Sequence, residues 1–274
     1  MLKKTVIAIV ACALIWVAMI YFWQDRMIYF PRGYASNSRL FKKVDTVKYL
    51  SGDCVQVSYL YPAGREQTPQ KVWWLYGGNG STALDWISML ETTRLPEDCV
   101  CVLVDYPGYG RCSGKPAPDA IFTSVETLHS KLCERWNLEG AELSRRSGTL
   151  GHSLGAAVAF RTAAHFRMPV VIAVSPFTTM QEMAQRRVGF LHVLLEHPYD
   201  NRESVTRLVG QSPPAEIQIF HGTSDSLIPA SMGRELAELA GSKNAVFHPV
   251  RGRGHNDIIH HIREELLEQI KGGR

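Results

Sequence analysis

The sequence predicts an α/β domain on a mainly parallel sheet, preceded by one apolar helix long enough to cross a membrane. Three observations lead there. Short runs of β-branched and apolar residues recur along the chain, helix-compatible segments separate them, and residues Thr5 to Trp23 form an uncharged stretch of nineteen near the start. Strands alternating with helices imply right-handed crossovers and a parallel sheet.

Length and composition suit a short appendage, residues 1–25, followed by one ordinary domain, residues 26–274. With 45% hydrophobic and 20% charged residues among 274, the body is globular rather than disordered. The formal charge of +4 comes from scattered basic residues such as Arg145-Arg146 and Arg251/Arg253, so no nucleic-acid footprint is expected. Six cysteines, at 12, 54, 99, 101, 112 and 133, show no C-x-x-C and no accompanying His spacing. Neither a metal site nor another cofactor is expected from them. A disulfide framework is the weaker reading, with a single bridge left open.

The apolar stretch follows Lys3-Lys4 and precedes Gln24-Asp25-Arg26. At ~1.5 Å rise per residue it spans a bilayer core. A cleaved signal peptide is the rival, but its apolar core is usually ~7 to 15 residues and ends in small ones. Here Tyr21, Phe22 and Trp23 close the run, which suits the aromatic belt of a membrane interface. The two lysines before the run, against Arg26 and Arg32 after it, slightly favour a cytoplasmic N-terminus and a catalytic domain on the non-cytoplasmic side.

Beyond this stretch, Val44 to Leu50 and Cys54 to Tyr61 read as an opening antiparallel pair joined by Ser51-Gly52-Asp53. Val72–Tyr76, Val100–Asp105, Thr149–Gly151, Val170–Ser175, Ile217–His221 and Ala245–Val250 come next as strands without clean alternation, as expected when both faces are covered. Helices are expected over Ala120–Trp136, Leu154–Phe166, Ser231–Leu239 and Ile258–Ile270. In such sheets the chemistry collects beyond the carboxyl ends of the strands.

Gly151-His152-Ser153-Leu154-Gly155 is a G-x-S-x-G motif between a short strand and a small-residue helix. Its glycines relieve crowding in a sharp turn that lifts the Ser153 hydroxyl above the sheet. A serine at its free pKa is a poor nucleophile and needs a base oriented by a third group. Asp225 comes after the Ile217–His221 strand, and His255 comes after the last strand between Gly254 and Asn256, giving the order Ser, Asp, His. Asp200 and Asp257 are reserve acids. An oxyanion requires two backbone donors: Leu154 offers one at the helix start, and Gly78, in the Gly77-Gly78-Asn79-Gly80 loop, offers the second.

At these motifs the chain resembles the α/β-hydrolase superfamily, and within it the Bem46-like branch of membrane-associated serine hydrolases. Asp105-Tyr106-Pro107-Gly108-Tyr109-Gly110-Arg111-Cys112-Ser113-Gly114 is similar to that branch's Asp-Tyr-Arg-Gly-Tyr-Gly-x-Ser-x-Gly block. Ser175-Pro176-Phe177-Thr178 resembles the segment after its next strand, and Ile28-Tyr29-Phe30-Pro31 resembles the stretch behind its N-terminal apolar segment. The resemblance implies a sheet of about eight strands and the nucleophile, acid and base roles for Ser153, Asp225 and His255. Two departures stand out: the oxyanion loop opens Tyr76-Gly77-Gly78 where the family has His-Gly-Asn, and Pro107 replaces an arginine.

The expected reaction is acyl transfer to water. Substrate-lining residues are expected from Phe177 to Arg207, where Met180, Met183, Phe190, Leu191, Leu194 and Leu195 form either a partial lid or a helix packed on the core. The resemblance includes thioesterases that deacylate membrane proteins, which favours an ester or thioester of a lipid-like acyl group. A serine peptidase or amidase, or an idle membrane-tethered scaffold with the same fold, are the alternatives. Arg251 and Arg253 read as a solvated pair or as an aid to an anionic substrate.

Overall fold

The computed structural model describes residues 2–35, 38–196 and 199–272, and within the first helix it leaves out the side chains of residues 2, 3, 6–10, 12–14 and 20. In chain order the elements begin with α1 (Leu2–Ile28), the hairpin β1 (Asp45–Ser51) and β2 (Cys54–Tyr61), then β3 (Lys71–Tyr76), α2 (Ile87–Leu90) and β4 (Cys99–Val104). Helices α3 (Pro118–Trp136) and α4 (Gly140–Arg145) lead to β5 (Ser147–His152), α5 (Leu154–Phe166) and β6 (Val170–Val174). Then come α6 (Met180–Val188), a 3-10 turn over Gly189–Leu194, α7 (Asn201–Gly210), β7 (Glu216–Gly222), α8 (Ala230–Ala240), β8 (Ala245–Val250), α9 (Ile258–His261) and α10 (Arg263–Gly272).

The eight strands form one sheet in the order β1-β2-β4-β3-β5-β6-β7-β8. β1 and β2 pair antiparallel, β2 pairs antiparallel with β4, and every pair from β4 to β8 is parallel. The continuous apolar runs result from this arrangement. In β3, Val72, Trp74 and Tyr76 face a core shared with α3, α5, α7 and α8, while Trp73 and Leu75 face a second core under α2, α9 and α10. Period-two alternation is present but both sides are apolar, because both are covered.

The chain passes from β3 to β4 on one side and returns to β5 on the other, so the crevice beyond β3 is the switch point of the sheet. Register pairs Tyr76 with Gly151, which sets the loop after β3 beside the turn after β5. β7 and β8, two and three strands further along, deliver the other two site loops to the same end.

Two expectations are adjusted. The last helix is not continuous over Ile258–Ile270: Ile262, with ψ 16°, leaves the helical region and divides it into α9 and α10. Ile258, Ile262 and Leu266 stay buried together across the break, so the spacing alone reads as one helix. Cys54, Cys99, Cys101, Cys112 and Cys133 are all free thiols, and Cys12 lies outside the described side chains.

Residues 2–28 do form one helix. Among the described residues no helix is long and apolar enough to cross a membrane. Much of the apolar run, at positions 6–10, 12–14 and 20, lies outside the described side chains. The helix does not end in a loose linker. Gln24 is buried, its Oε1 accepting from the Glu196 amide at 2.8 Å, and the buried Tyr29 hydroxyl bonds that of Tyr199 at 2.9 Å.

Two buried histidines give the fold an acid sensitivity. His129 is stacked on Phe166, with ring centroids 4.0 Å apart, and its Nε2–H donates to Ser144 Oγ, whose own proton goes to the Gly140 carbonyl. Burial holds both His129 and His152 down to a pKa of about 4. An unfolded histidine protonates near pH ~6.5, so between those values the unfolded chain binds more protons, and stability falls as pH falls from ~6.5 toward ~4. Each residue contributes on the order of 3 kcal/mol over that window. His129→Phe keeps the stacking and removes one titrating group, so urea unfolding at pH 7, 5.5 and 4.5 should show a smaller acid-dependent loss than the wild type, in which the buried Asp105 carboxyl, raised to about 6, works in the opposite direction. An unchanged slope would exclude His129 as a source.

Candidate active site

Ser153 joins β5 to α5 with φ 57° and ψ −118°, a backbone conformation that L-residues rarely adopt. The surrounding glycines make the turn possible. A Cβ on Gly155 would lie 2.2 Å from the Tyr76 carbonyl oxygen, and one on Gly151 would lie 2.1 Å from that of Gly155. No larger residue fits either place, so the motif's spacing is a steric requirement. The Ser153 amide bonds the Val174 carbonyl at 2.9 Å, which anchors the turn to β6.

The structure brings Ser153, His255 and Asp225 together. His255 Nε2 lies 2.9 Å from Ser153 Oγ, and His255 Nδ1 lies 2.7 Å from Asp225 Oδ2. A carboxylate only accepts, so the imidazole proton sits on Nδ1 and the Nε2 lone pair faces the serine hydroxyl. Asp225 Oδ1 accepts the amides of Leu227 and Ile228 at 2.9 and 2.8 Å, which leaves Oδ2 to the histidine. Burial raises the Asp225 carboxyl, but hydrogen bonds from His221, His255 and the Ile228 amide outweigh it and hold the group well below the ordinary carboxylate range. It therefore stays ionised beside the imidazole.

A Cβ on Gly78 would lie 3.7 Å from Ser153 Cβ, so the loop after β3 comes close to the serine, and Leu154, the other expected oxyanion donor, is the first residue of α5. The departure at Tyr76 leaves this loop well held by other groups. Tyr106 Oη donates to the Gly77 carbonyl at 2.7 Å and Tyr109 Oη to that of Asn79 at 2.6 Å. Asn79 Nδ2 donates to the Ile28 carbonyl at 3.0 Å, and the Phe30 amide donates to the Asn79 carbonyl at 3.0 Å. The tyrosines of the Asp105–Gly114 block and the end of α1 thus position the loop.

Sequence reasoning missed several of these groups. His152 donates from Nε2 to the His255 carbonyl at 2.9 Å, fixing the backbone of the histidine loop. His221 Nε2 donates to the Ile228 carbonyl at 2.9 Å and stands 3.5 Å from Asp225 Oδ2. His152 adjoins the serine in sequence but its partner is remote, whereas the partners of His221 follow it within seven residues. The reserve acids are engaged elsewhere: Asp200 caps α7 through the Glu203 amide, and Asp257 accepts from the Gly254 amide. Arg251 and Arg253 do not border the cavity, and Arg253 faces Asp257 at 3.6 Å.

Ser153 and His255 open into a cavity of about 600 Å³. One wall is α6 with the 3-10 turn, contributing Met180, Met183, Leu191 and Leu194, and the opposite wall is Met27, Ile28 and Phe30 from the end of α1. Segment 177–195 thus combines the two expectations: it walls the cavity as a partial lid, and its Met180 and Met183 also pack against the core, although α6 buries no side chain fully. Phe190, expected among the lining residues, instead faces outward, 79% exposed.

A family model described as the alpha/beta hydrolase family matches residues 77–211. The chain is 30% identical over 160 residues to an uncharacterized protein of Mycobacterium tuberculosis, covering 57% of this chain and 53% of that one. It is 27% identical over 174 residues to human alpha/beta hydrolase domain-containing protein 17B, covering 64% and 56%. It thus spans about half the length of the curated relatives it matches. Among solved structures, an esterase of Pyrococcus furiosus superposes with TM-score 0.65 at 16% identity, covering 88% of this chain and 96% of the other. A thermophilic esterase of Thermogutta terrifontis gives 0.61 at 14%, covering 86% and 94%. At such identities the superpositions speak for the fold. Strand order, the turn at Ser153 and the superpositions agree on the α/β-hydrolase fold, and the matched family model is similar to the chain over its central residues 77–211.

Proposed function

We propose that the protein is a membrane-anchored serine hydrolase of the Bem46-like kind, cleaving esters or thioesters of lipid-like acyl groups. The observation that carries the chemistry is the unbroken hydrogen-bonded chain from Ser153 Oγ through His255 to Asp225, at the mouth of an apolar cavity. Ser153 Oγ attacks the acyl carbon as its proton passes to His255 Nε2, and Asp225 stabilises the imidazolium. Negative charge on the carbonyl oxygen is met by the Gly78 and Leu154 amides. The tetrahedral species expels an alkoxide or thiolate that takes the proton from His255. Water, deprotonated by His255, then attacks the acyl-enzyme and releases the acid and Ser153.

The residues that border the cavity opposite the triad are mostly apolar, with Gln24, Arg187 and His192 among them, which favours a hydrocarbon acyl chain over a peptide. The charge-free run of residues 5–23, with its aromatic end, supports a single N-terminal anchor, with the catalytic domain on the non-cytoplasmic side. The test is an acyl-chain-length series of esters and thioesters on the full chain in detergent. Each buried methylene is worth ~0.8 kcal/mol, so kcat/KM should rise about fourfold per carbon until the cavity is filled. A flat or falling series would remove the lipid-like acyl group from the proposal.

A further inference from the structure

The 3-10 turn at the cavity mouth carries one polar side chain, His192, whose Nδ1 is turned back onto the Gly189 carbonyl at 2.9 Å; its other two faces are apolar. Such a helix repeats every ~3 residues, so positions i and i+3 share a face. Leu191 and Leu194 line the cavity, while Phe190 and Val193, on the other face, are 79% and 68% exposed. A single exposed apolar side chain needs no explanation. Here two adjoin on an element whose inner face is also apolar. The segment is fastened to the end of the apolar N-terminal run: the Tyr21 hydroxyl bonds the Glu196 carboxylate, and the Glu196 amide donates to Gln24 Oε1 at 2.8 Å. It therefore lies level with Tyr21 to Gln24, where Phe22 and Trp23 are also exposed. Arg26, Arg186 and Arg187 are exposed in the same segments, at the depth where phospholipid headgroups carry phosphate.

We propose that Gly189–Leu194 is a lip inserted into the bilayer, with Phe190 and Val193 among the acyl chains and the arginines at the headgroups, so that the cavity opens into lipid. An acyl substrate then enters laterally, between the lip and the end of α1. This rests on the anchor reading given above. The occupant is the surface of the same phospholipid bilayer, because the apolar run that ends at Trp23 brings that surface to the lip.

The experiment places the photoreactive residue benzoylphenylalanine at position 22, 190, 193 or 50 of the full chain, in liposomes of phosphatidylcholine and phosphatidylglycerol. Lipid adducts are expected at 22, 190 and 193 and none at the exposed Leu50 on the β1 edge. Adducts at 22 without adducts at 190 and 193 overturn the lip and leave the anchor standing; no adducts at 22, 190 or 193 overturn both. A second readout uses the double variant Phe190→Ser, Val193→Ser. Hydrolysis of a long-chain ester dissolved in the liposomes should fall at least tenfold, with a short water-soluble ester unchanged within twofold. An equal effect on both esters, or none on the liposomal one, overturns the proposal. Should the wild-type chain cleave neither ester, the hydrolase reading fails and the adducts alone decide the lip.

Discussion

Ser153→Ala is expected to lower ester turnover by roughly 10⁶-fold, the scale seen when a triad nucleophile is removed. Oγ has one described partner, His255 Nε2 at 2.9 Å, and carries no structural bond that the fold needs. The φ of 57° is set by the steric closure of Gly151 and Gly155 against neighbouring carbonyls, which alanine leaves in place. Loss of activity should therefore come with a change in unfolding free energy below about 1 kcal/mol. A fluorophosphonate probe reads the same point directly, and undiminished labelling of the alanine variant would transfer the nucleophile role to another residue.

Asp225→Asn should reduce kcat by about 10⁴-fold through the tautomer of His255, with little change of shape. The two backbone amides of Leu227 and Ile228 demand an acceptor at the Oδ1 position. The asparagine oxygen must take that place, which turns its NH₂ toward His255 Nδ1. Nδ1 then accepts, the ring proton moves to Nε2, and the histidine presents a donor to Ser153 where a base is required. The same NH₂ faces the Nε2–H of His221, 3.5 Å from Oδ2 in the wild type, so a stability loss of ~1–3 kcal/mol should accompany it. The pre-steady-state acylation rate separates this from a folding defect. Wild-type acylation in the Asn variant would show that Asp225 does not set the tautomer.

The parts of this protein that a sequence exposes are those governed by local sterics and by burial on two faces. The strands β3, β4 and β6 announce themselves as apolar runs, and β5, which does not, is marked by Gly151, Ser153 and Gly155 at a spacing that only a tight strand-to-helix turn explains. Asp225 and His255 are legible from chain order and from their place after strands. The lid is only half legible. α6 buries no residue fully because its apolar side chains face a cavity, so the core-facing pattern that marks a helix is diluted. The division at Ile262 is invisible because burial continues across it. Tyr106, Tyr109, Asn79 and His152 hold the site through hydrogen bonds to backbone groups remote in sequence, and no composition or period encodes such partners.

Helix α1 runs without interruption to Ile28, Gln24 is already bonded to Glu196, and Tyr29 and Phe30 are fastened to Tyr199 and Asn79. A flexible leash of n residues would let an enzyme sweep a radius of about 5–6 Å × √n. This joint has no leash. If the apolar run is held in a bilayer as proposed, this joint would keep Ser153 at one elevation relative to it. The distance of an acylated group from the lipid would then select substrates in its own right.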